Sequence, residues 1–263
     1  MGRVLLLMAS LAVLAACAAE KPPVLASTTA YKSVAIIAAI PSRINLGTTG
    51  LTAFDNGDDT VDVPEWHLDN IALDTATRAL SGRYRIAYAL ADDQFVDSDS
   101  PLSAALEHTT AIQDYARTHA QADHPADIFV VLCESVRVFS ANARPEVIQF
   151  MGAFKFYDPI LTRPPVVHSY ILATIMDGKT FKIITETPLL LPPHKRQPGA
   201  FGNGAWGAGG AYPELLLPGF QWKDHWGDLT EDQRNLIHDK ITYLLSTSTY
   251  YTLQTTLMAG GGS

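Results

Sequence analysis

Ala126-Asp-Ile-Phe-Val-Val-Leu-Cys-Glu134 decides the fold. It holds an unbroken apolar run, Ile128 to Cys133, between acidic ends. A strand with one wet face alternates; an unbroken run of this length reads as a strand buried on both faces. The stretch 127–134 is therefore expected at the centre of a sheet. Pro125 stands just before it and ends whatever helix leads in.

Upstream, 33–40 is a second apolar, β-branched run, stopped by Pro41. Residues 41–64 are rich in Gly, Thr, Asn and Asp and read as a loop, with Asn56-Gly57 as a turn. Leu68, Ala72, Ala76 and Ala79 recur at helical spacing and predict a helix over 65–81, stopped by Gly82. A strand follows at 83–90. Ser100-Pro101 starts another helix, with Leu102, Ala105, Leu106, Thr109, Ile112, Ala116 and Ala120 as its buried stripe.

Downstream, 136–139 either extends the central strand or pairs beside it, and 147–157 alternates weakly. Two β-rich runs, 168–176 and 180–187, flank Asp177-Gly178 and predict a hairpin. Residues 189–218 hold five prolines and much of the glycine, which makes a long connection within a domain. Thr230 and Gln233 then form a capping box for a helix over 229–246, with Leu236, Ile237, Ile241, Leu244 and Leu245 as its apolar face. Leu253, Leu257 and Met258 suggest one more short helix.

The expected fold is α/β (α+β): one domain over 31–259 with a mixed β-sheet, βαβ units, a hairpin in the C-terminal half and packing helices. The Gly/Pro/aromatic-rich loop at 189–218 interrupts it, and 260–263 is a tail. Hydrophobic residues make up 47% and charged ones 17%, which fits a packed core. The formal net charge of −8 gives nucleic-acid binding no electrostatic support.

The N-terminus carries an address. Arg3, an apolar run from Val4 to Val13, and Leu14-Ala15-Ala16-Cys17 read as a signal peptide over 1–16. Leu followed by two small residues and Cys resembles the lipobox of bacterial lipoproteins. The resemblance implies a lipid on Cys17, with 17–30 as a tether and Ala18 favouring the outer membrane. Several acyl chains would anchor the protein stably, where one holds only marginally. With Cys17 acylated, Cys133 is left alone as a buried core thiol, and neither a disulfide nor a Cys-based zinc site is expected.

Signals for chemistry are sparse. The eight histidines make no compact ligand spacing, and no Gly-x-Ser-x-Gly elbow or phosphate loop is present. No catalytic residue, metal or cofactor is expected; the fallback acid/base pair is His67 and Asp69. Asp55, Asn56, Asp58 and Asp59 lack calcium-loop spacing and read as a solvated turn. Phe201, Trp206 and Tyr212 lie among glycines and are the expected partner-binding side chains, since aromatics anchor interfaces. Trp222 and Trp226 precede the capped helix and are expected nearer the core.

The first strand Val34-Ala-Ile-Ile, the helix end Ala79-Leu-Ser-Gly-Arg-Tyr-Arg-Ile86, the strand Ala126-Asp-Ile-Phe-Val-Val131 and the hairpin Ile175-Met-Asp-Gly-Lys-Thr180 appear in a telling order. That order resembles the TolB amino-terminal domain and the curli-secretion and penicillin-binding-protein-activator lipoproteins. Their hairpin turn often reads Asp-x-x-Thr-Gly, whereas here Gly precedes Lys-Thr. Gly50-Leu-Thr-Ala-Phe54, Trp66-His-Leu-Asp69, Asp177-Gly-Lys-Thr-Phe181, Trp222-x-x-x-Trp226 and 244–253 are similar to a family of uncharacterised proteobacterial lipoproteins. The likeness implies fold and address and brings no catalytic residue. The expected function is that of an outer-membrane lipoprotein facing the periplasm, a non-enzymatic adaptor or assembly factor for an envelope protein. It would hold the membrane through its lipid and the partner through a sheet edge or the aromatic-glycine loop. The alternatives are a periplasmic hydrolase with a site near the loop after the first strand, around His67 and Asp69, and an oligomeric secretion-associated lipoprotein.

Overall fold

The computed structural model describes residues 31–49, 57–92, 101–141, 144–156, 164–196 and 212–258. The signal and tether at 1–30, with Cys17, lie outside these residues, as do Phe201, Trp206 and the tail at 260–263. The fold is mixed α/β, with two mixed five-stranded sheets and three helices.

Strands β1 (Ser33–Ala39), β2 (Arg43–Thr49) and β3 (Gly57–Asp62) come first. Helix α1 (Leu68–Leu80), β4 (Arg85–Ala91), α2 (Pro101–Thr118) and β5 (Ile128–Glu134) follow. Then come β6 (Val136–Ala141), β7 (Arg144–Gln149), β8 (Met151–Phe156), β9 (Val166–Ser169), β10 (Ile171–Asp177) and β11 (Ile183–Pro188). A short β12 (Glu214–Leu216) and the long α3 (Glu231–Leu253) complete the order.

The first sheet runs β11-β10-β5-β1-β4, and β5 is its centre as its apolar run requires. β1 is parallel to both β4 and β5, while β10 is antiparallel to β5. Ile128, Val130 and Leu132 of β5 join the core on the α1 side. Phe129, Val131 and Cys133 join the one on the α2 side, with Ile112 and Ala116. The period-2 alternation of Cβ directions delivers one strand to two cores. On α1, Ala72, Ala76 and Ala79 are buried, and their small side chains let the helix come close to β1.

The second sheet runs β12-β9-β8-β2-β3, with β2 parallel to β8. It corrects the sequence reading of 41–64 as a loop, since β2 and β3 lie inside that range. Ile44 and Leu46 of β2 are buried, and their alternation is masked by Asn45 between them and by Gly47, Thr48 and Thr49 after them. Pairing with β8, far along the chain, overrides weak local propensity.

The chain passes between the sheets without an intervening helix where β1 continues into β2, β5 reaches β8, and β9 runs into β10. The expected single strand over 168–176 is thus two, broken at Tyr170. At the break Tyr170 N–H donates to Phe150 O (2.6 Å), Phe150 N–H to Ser135 O (2.8 Å) and Ser135 N–H to Tyr170 O (3.0 Å). Those bonds satisfy the backbone where the ladders part. The β6–β7 hairpin is inserted between Ser135 and Phe150 and pairs with itself.

The Asp177-Gly178 hairpin forms as expected, joining β10 to β11. Asp177 Oδ1 accepts from the Lys179 and Thr180 amides and the Thr180 hydroxyl. The capping box also forms: Thr230 Oγ1 accepts from Gln233 N–H, and Gln233 Oε1 from Thr230 N–H. Helix α3 runs on to Leu253, past the expected end at 246, and continues as a π-turn through Met258. Ile237, Ile241, Leu244 and Leu245 are fully buried, but Leu236 is 38% exposed, which corrects its placement on the apolar face.

Candidate functional site

The sequence places the partner-binding aromatics on 199–212, and the structure shows how that stretch is rooted. On its N-terminal side Leu189, Leu190 and Leu191 are buried, and Leu190 N–H donates to Thr252 Oγ1 of α3 (2.8 Å). On its C-terminal side Tyr212 leads into β12, an edge strand antiparallel to β9. The expected long loop at 189–218 is therefore interrupted by a strand.

A buried polar and aromatic cluster forms at this root. Tyr170 hydroxyl donates to Glu214 Oε1 at 2.6 Å, and both side chains are buried. Glu214 stands opposite His168 in the β9–β12 register. The His168 ring lies 4.8 Å from that of Tyr170 and 5.4 Å from that of Phe154. Tyr212 meets Tyr170 edge-on, centroids 6.2 Å apart. A carboxyl buried in this way is held by hydrogen bonding, without which burial would be costly. Of the three expected partner-binding residues, Tyr212 is the one within the described residues. It is half-buried and belongs to this cluster.

The fallback pair does not assemble. His67 is exposed and sits in the left-handed region (φ 48°) between a 3₁₀ turn, Pro64–Trp66, and α1. Asp69 is buried in the first turn of α1, where the helix dipole favours a carboxylate, and accepts from Asn70 Nδ2. No hydrogen bond or ion pair joins the two.

A different acid–imidazole pair, missed in the sequence, lies beyond the carboxyl end of β4. Asp92 Oδ2 stands 3.2 Å from His119 Nε2 and accepts from the Tyr115 hydroxyl at 2.6 Å. His119 Nδ1 faces Tyr115 O at 2.9 Å, and a carbonyl only accepts, so Nδ1 carries a proton. Burial, then the hydrogen bond to Asp92, then the charges of Asp92 and Cys133 push the Tyr115 phenol far up. Both imidazole nitrogens are thereby engaged. A His–acid pair serving as general base needs one nitrogen turned to the nucleophile, and here that position is taken by a backbone carbonyl. The pair ties α2 to β4. Cys133, the nearby thiol, is fully buried.

Asp58 and Asp59 are in strand β3, which corrects their assignment to a solvated turn; Asp55 and Asn56 lie outside the described residues. Asp59 Oδ2 accepts from Trp226 N–H (2.9 Å), and burial with the Asp59 charge raises the Asp58 carboxyl. Trp222 Nε1–H donates to Thr48 Oγ1, and Trp226 packs edge-on against Trp66, so both tryptophans lie against the core as expected. Among the described residues no cluster of three or more His, Cys, Asp or Glu could hold a metal ion. No described helix is long and apolar enough to cross a membrane.

Comparison with known proteins finds no matching family model and no matching curated sequence.

Proposed function

We propose that this chain is a lipid-anchored envelope protein on the periplasmic face of the outer membrane, acting as a non-enzymatic adaptor or assembly factor. The address rests on Leu14-Ala15-Ala16-Cys17 behind its apolar run. The adaptor reading rests on one observation: the aromatic-glycine stretch springs from a fixed base. Tyr212 is packed on Tyr170, Tyr170 is bonded to Glu214, and the 189–191 flank is buried. Tyr212, held against Tyr170, loses less freedom on binding, which favours capture of a partner. The likeness in element order to envelope binding domains supports the same reading.

The hydrolase alternative, with its site at His67, Asp69 and the loop after the first strand, loses support because an exposed imidazole and a buried carboxylate do not meet there. The His119–Asp92 pair, in turn, has a backbone carbonyl at its second ring nitrogen. The secretion-pore alternative needs membrane-crossing strands of about 9–11 residues. Strands β6 and β7 have 6 residues each.

The test is in-cell crosslinking of the tagged, lipidated chain, with mass spectrometry of what it captures, beside a variant lacking 199–211. A reproducible envelope partner, lost in the deletion while the thermal melt persists, is expected. A folded, lipidated protein that captures nothing specific overturns the adaptor reading.

A further inference from the structure

Leu236, Tyr243 and Tyr250 are the exposed large hydrophobic side chains among the described residues, at 38%, 39% and 48%. All three are on α3, and they fall seven residues apart. Seven residues are nearly two turns, so the three form one line down the helix, ~21 Å long at 1.5 Å per residue. The opposite face, with Ile237, Ile241, Leu244, Leu245, Ser248 and Thr252, is buried against the fold. The stripe is thus unpartnered among the described residues.

We propose that this stripe is a self-association surface, on which a second copy of the chain docks with its α3 antiparallel and Tyr243 on the two-fold axis. Two features of the helix favour that occupant. The stripe is symmetric about Tyr243, so antiparallel pairing sets Leu236 against Tyr250 of the second copy, and Tyr250 against Leu236, as an isologous contact requires. The charges are also segregated. Glu231, Asp232, Arg234, His238, Asp239 and Lys240 all precede residue 241, and no charged residue occurs from Ile241 to Met258. Antiparallel pairing lays each charged half on an uncharged one. Asp239 then faces Thr247, and Lys240 faces Ser246. Parallel pairing would set Asp239 on Asp239 and Lys240 on Lys240, which like-charge repulsion opposes. The small Ser246 and Thr247 beside Tyr243 let the helices approach closely. Tyrosine, apolar in body and polar at its tip, suits a surface that is wet when free and covered when paired.

The contact is one helix wide, smaller than a standard interface, so association in dilute solution is weak. Confinement to a membrane surface raises the effective concentration, but the geometry holds with or without the lipid.

Variants of the full chain with an added cysteine, oxidised in the membranes of producing cells, read that geometry directly. The unsubstituted chain, with Cys17 and buried Cys133, sets the background. Only cysteines whose Cα atoms approach within about 7 Å can bridge. Tyr243→Cys is expected to give a disulfide-linked dimer by itself. Leu236→Cys and Tyr250→Cys are each expected to stay monomeric alone and to crosslink when made together with distinguishable tags. Adding Tyr243→Arg, which puts two guanidinium groups on the axis, should abolish that mixed crosslink while leaving the circular dichroism and melt of the protein unchanged. Crosslinking by all three variants alone would mean parallel helices and overturns the proposal. So does the absence of any dimer above background, which leaves the stripe to another occupant.

Discussion

Tyr170 donates its hydroxyl to Glu214 Oε1 at 2.6 Å and so joins the point where β9 gives way to β10 to the edge strand β12. One bond thereby links the break between the sheets to the root of the stretch proposed to bind a partner. A buried carboxyl that loses such a donor costs roughly 1–3 kcal/mol. Tyr170→Phe keeps the ring contacts with His168 and Tyr212 and removes only the hydroxyl. We expect a loss of that order in urea unfolding. In a double-mutant cycle with Glu214→Gln the two effects should be clearly non-additive. Additive losses would show that the bond contributes nothing.

Gly178 is fixed by close approach. Its N–H donates to Asp127 O at 2.8 Å, and a Cβ built there would lie 2.0 Å from Ala126 O. The obstacle is backbone at the entry to the central strand, which cannot turn aside as a side chain can. Gly178→Ala is expected to cost at least about 1–3 kcal/mol, as overpacking does. In a domain of this size each kcal/mol lowers Tm by roughly 2–4 °C. A Tm equal to that of the unsubstituted protein would contradict the contact.

Acid should weaken the fold through two aspartates. Asp127 Oδ2 accepts from the Lys32 amide and from the Ser33 amide and hydroxyl. The Lys32 amide does most to hold this carboxyl below its ordinary range, against an opposing push from burial, with help from Ser33 and the charge of Lys179. Asp177 is lowered likewise, first by the Thr180 amide and hydroxyl, against burial, with help from the Lys179 amide and charge. A carboxyl depressed in the folded state stabilises it fully above the unfolded pKa, about 3.9. That contribution is lost as pH falls through the lower folded value. Asp58 is raised and works in the opposite sense. Tm measured against pH should therefore drop below about pH 4, and Asp127→Asn should flatten that part of the curve. An unchanged slope in the variant would contradict the assignment.

What the sequence made legible was local. The run Ile128 to Cys133 announces a strand buried on both faces, Thr230 and Gln233 announce a helix start, and Asp177-Gly178 announces a hairpin; all three form. What it hid was pairing at long range. β2 carries Gly47 and Thr48 and becomes a strand because β8 and β3 flank it. The break at Tyr170 follows from Phe150 and Ser135 closing the backbone there, which no nearby residue signals. His67 and Asp69 drew attention by adjacency, yet the helix start between them separates an exposed imidazole from a buried carboxylate. The pair that does meet, Asp92 and His119, is brought together by α2 returning alongside β4. Of the residues expected to bind a partner, Tyr212 lies among the described residues, where it meets Tyr170.

Thiol counting tests burial and lipid attachment together. The chain has two cysteines, and Cys133 is fully buried in β5, with Sγ 4.0 Å from Leu172 O. A thiol so placed is shielded from reagent until the fold opens. If Cys17 carries diacylglycerol, its sulfur is a thioether and does not react. Protein purified from membranes is then expected to show no reactive thiol when native and one after denaturation. An unlipidated chain would show one native thiol, from Cys17, and two when unfolded. Reaction of Cys133 in the native lipidated protein, mapped by peptide mass, would contradict its burial at the centre of the sheet. Mass spectrometry of the intact N-terminal peptide, with and without the signal peptidase inhibitor globomycin, separates the two Cys17 outcomes independently of the thiol count.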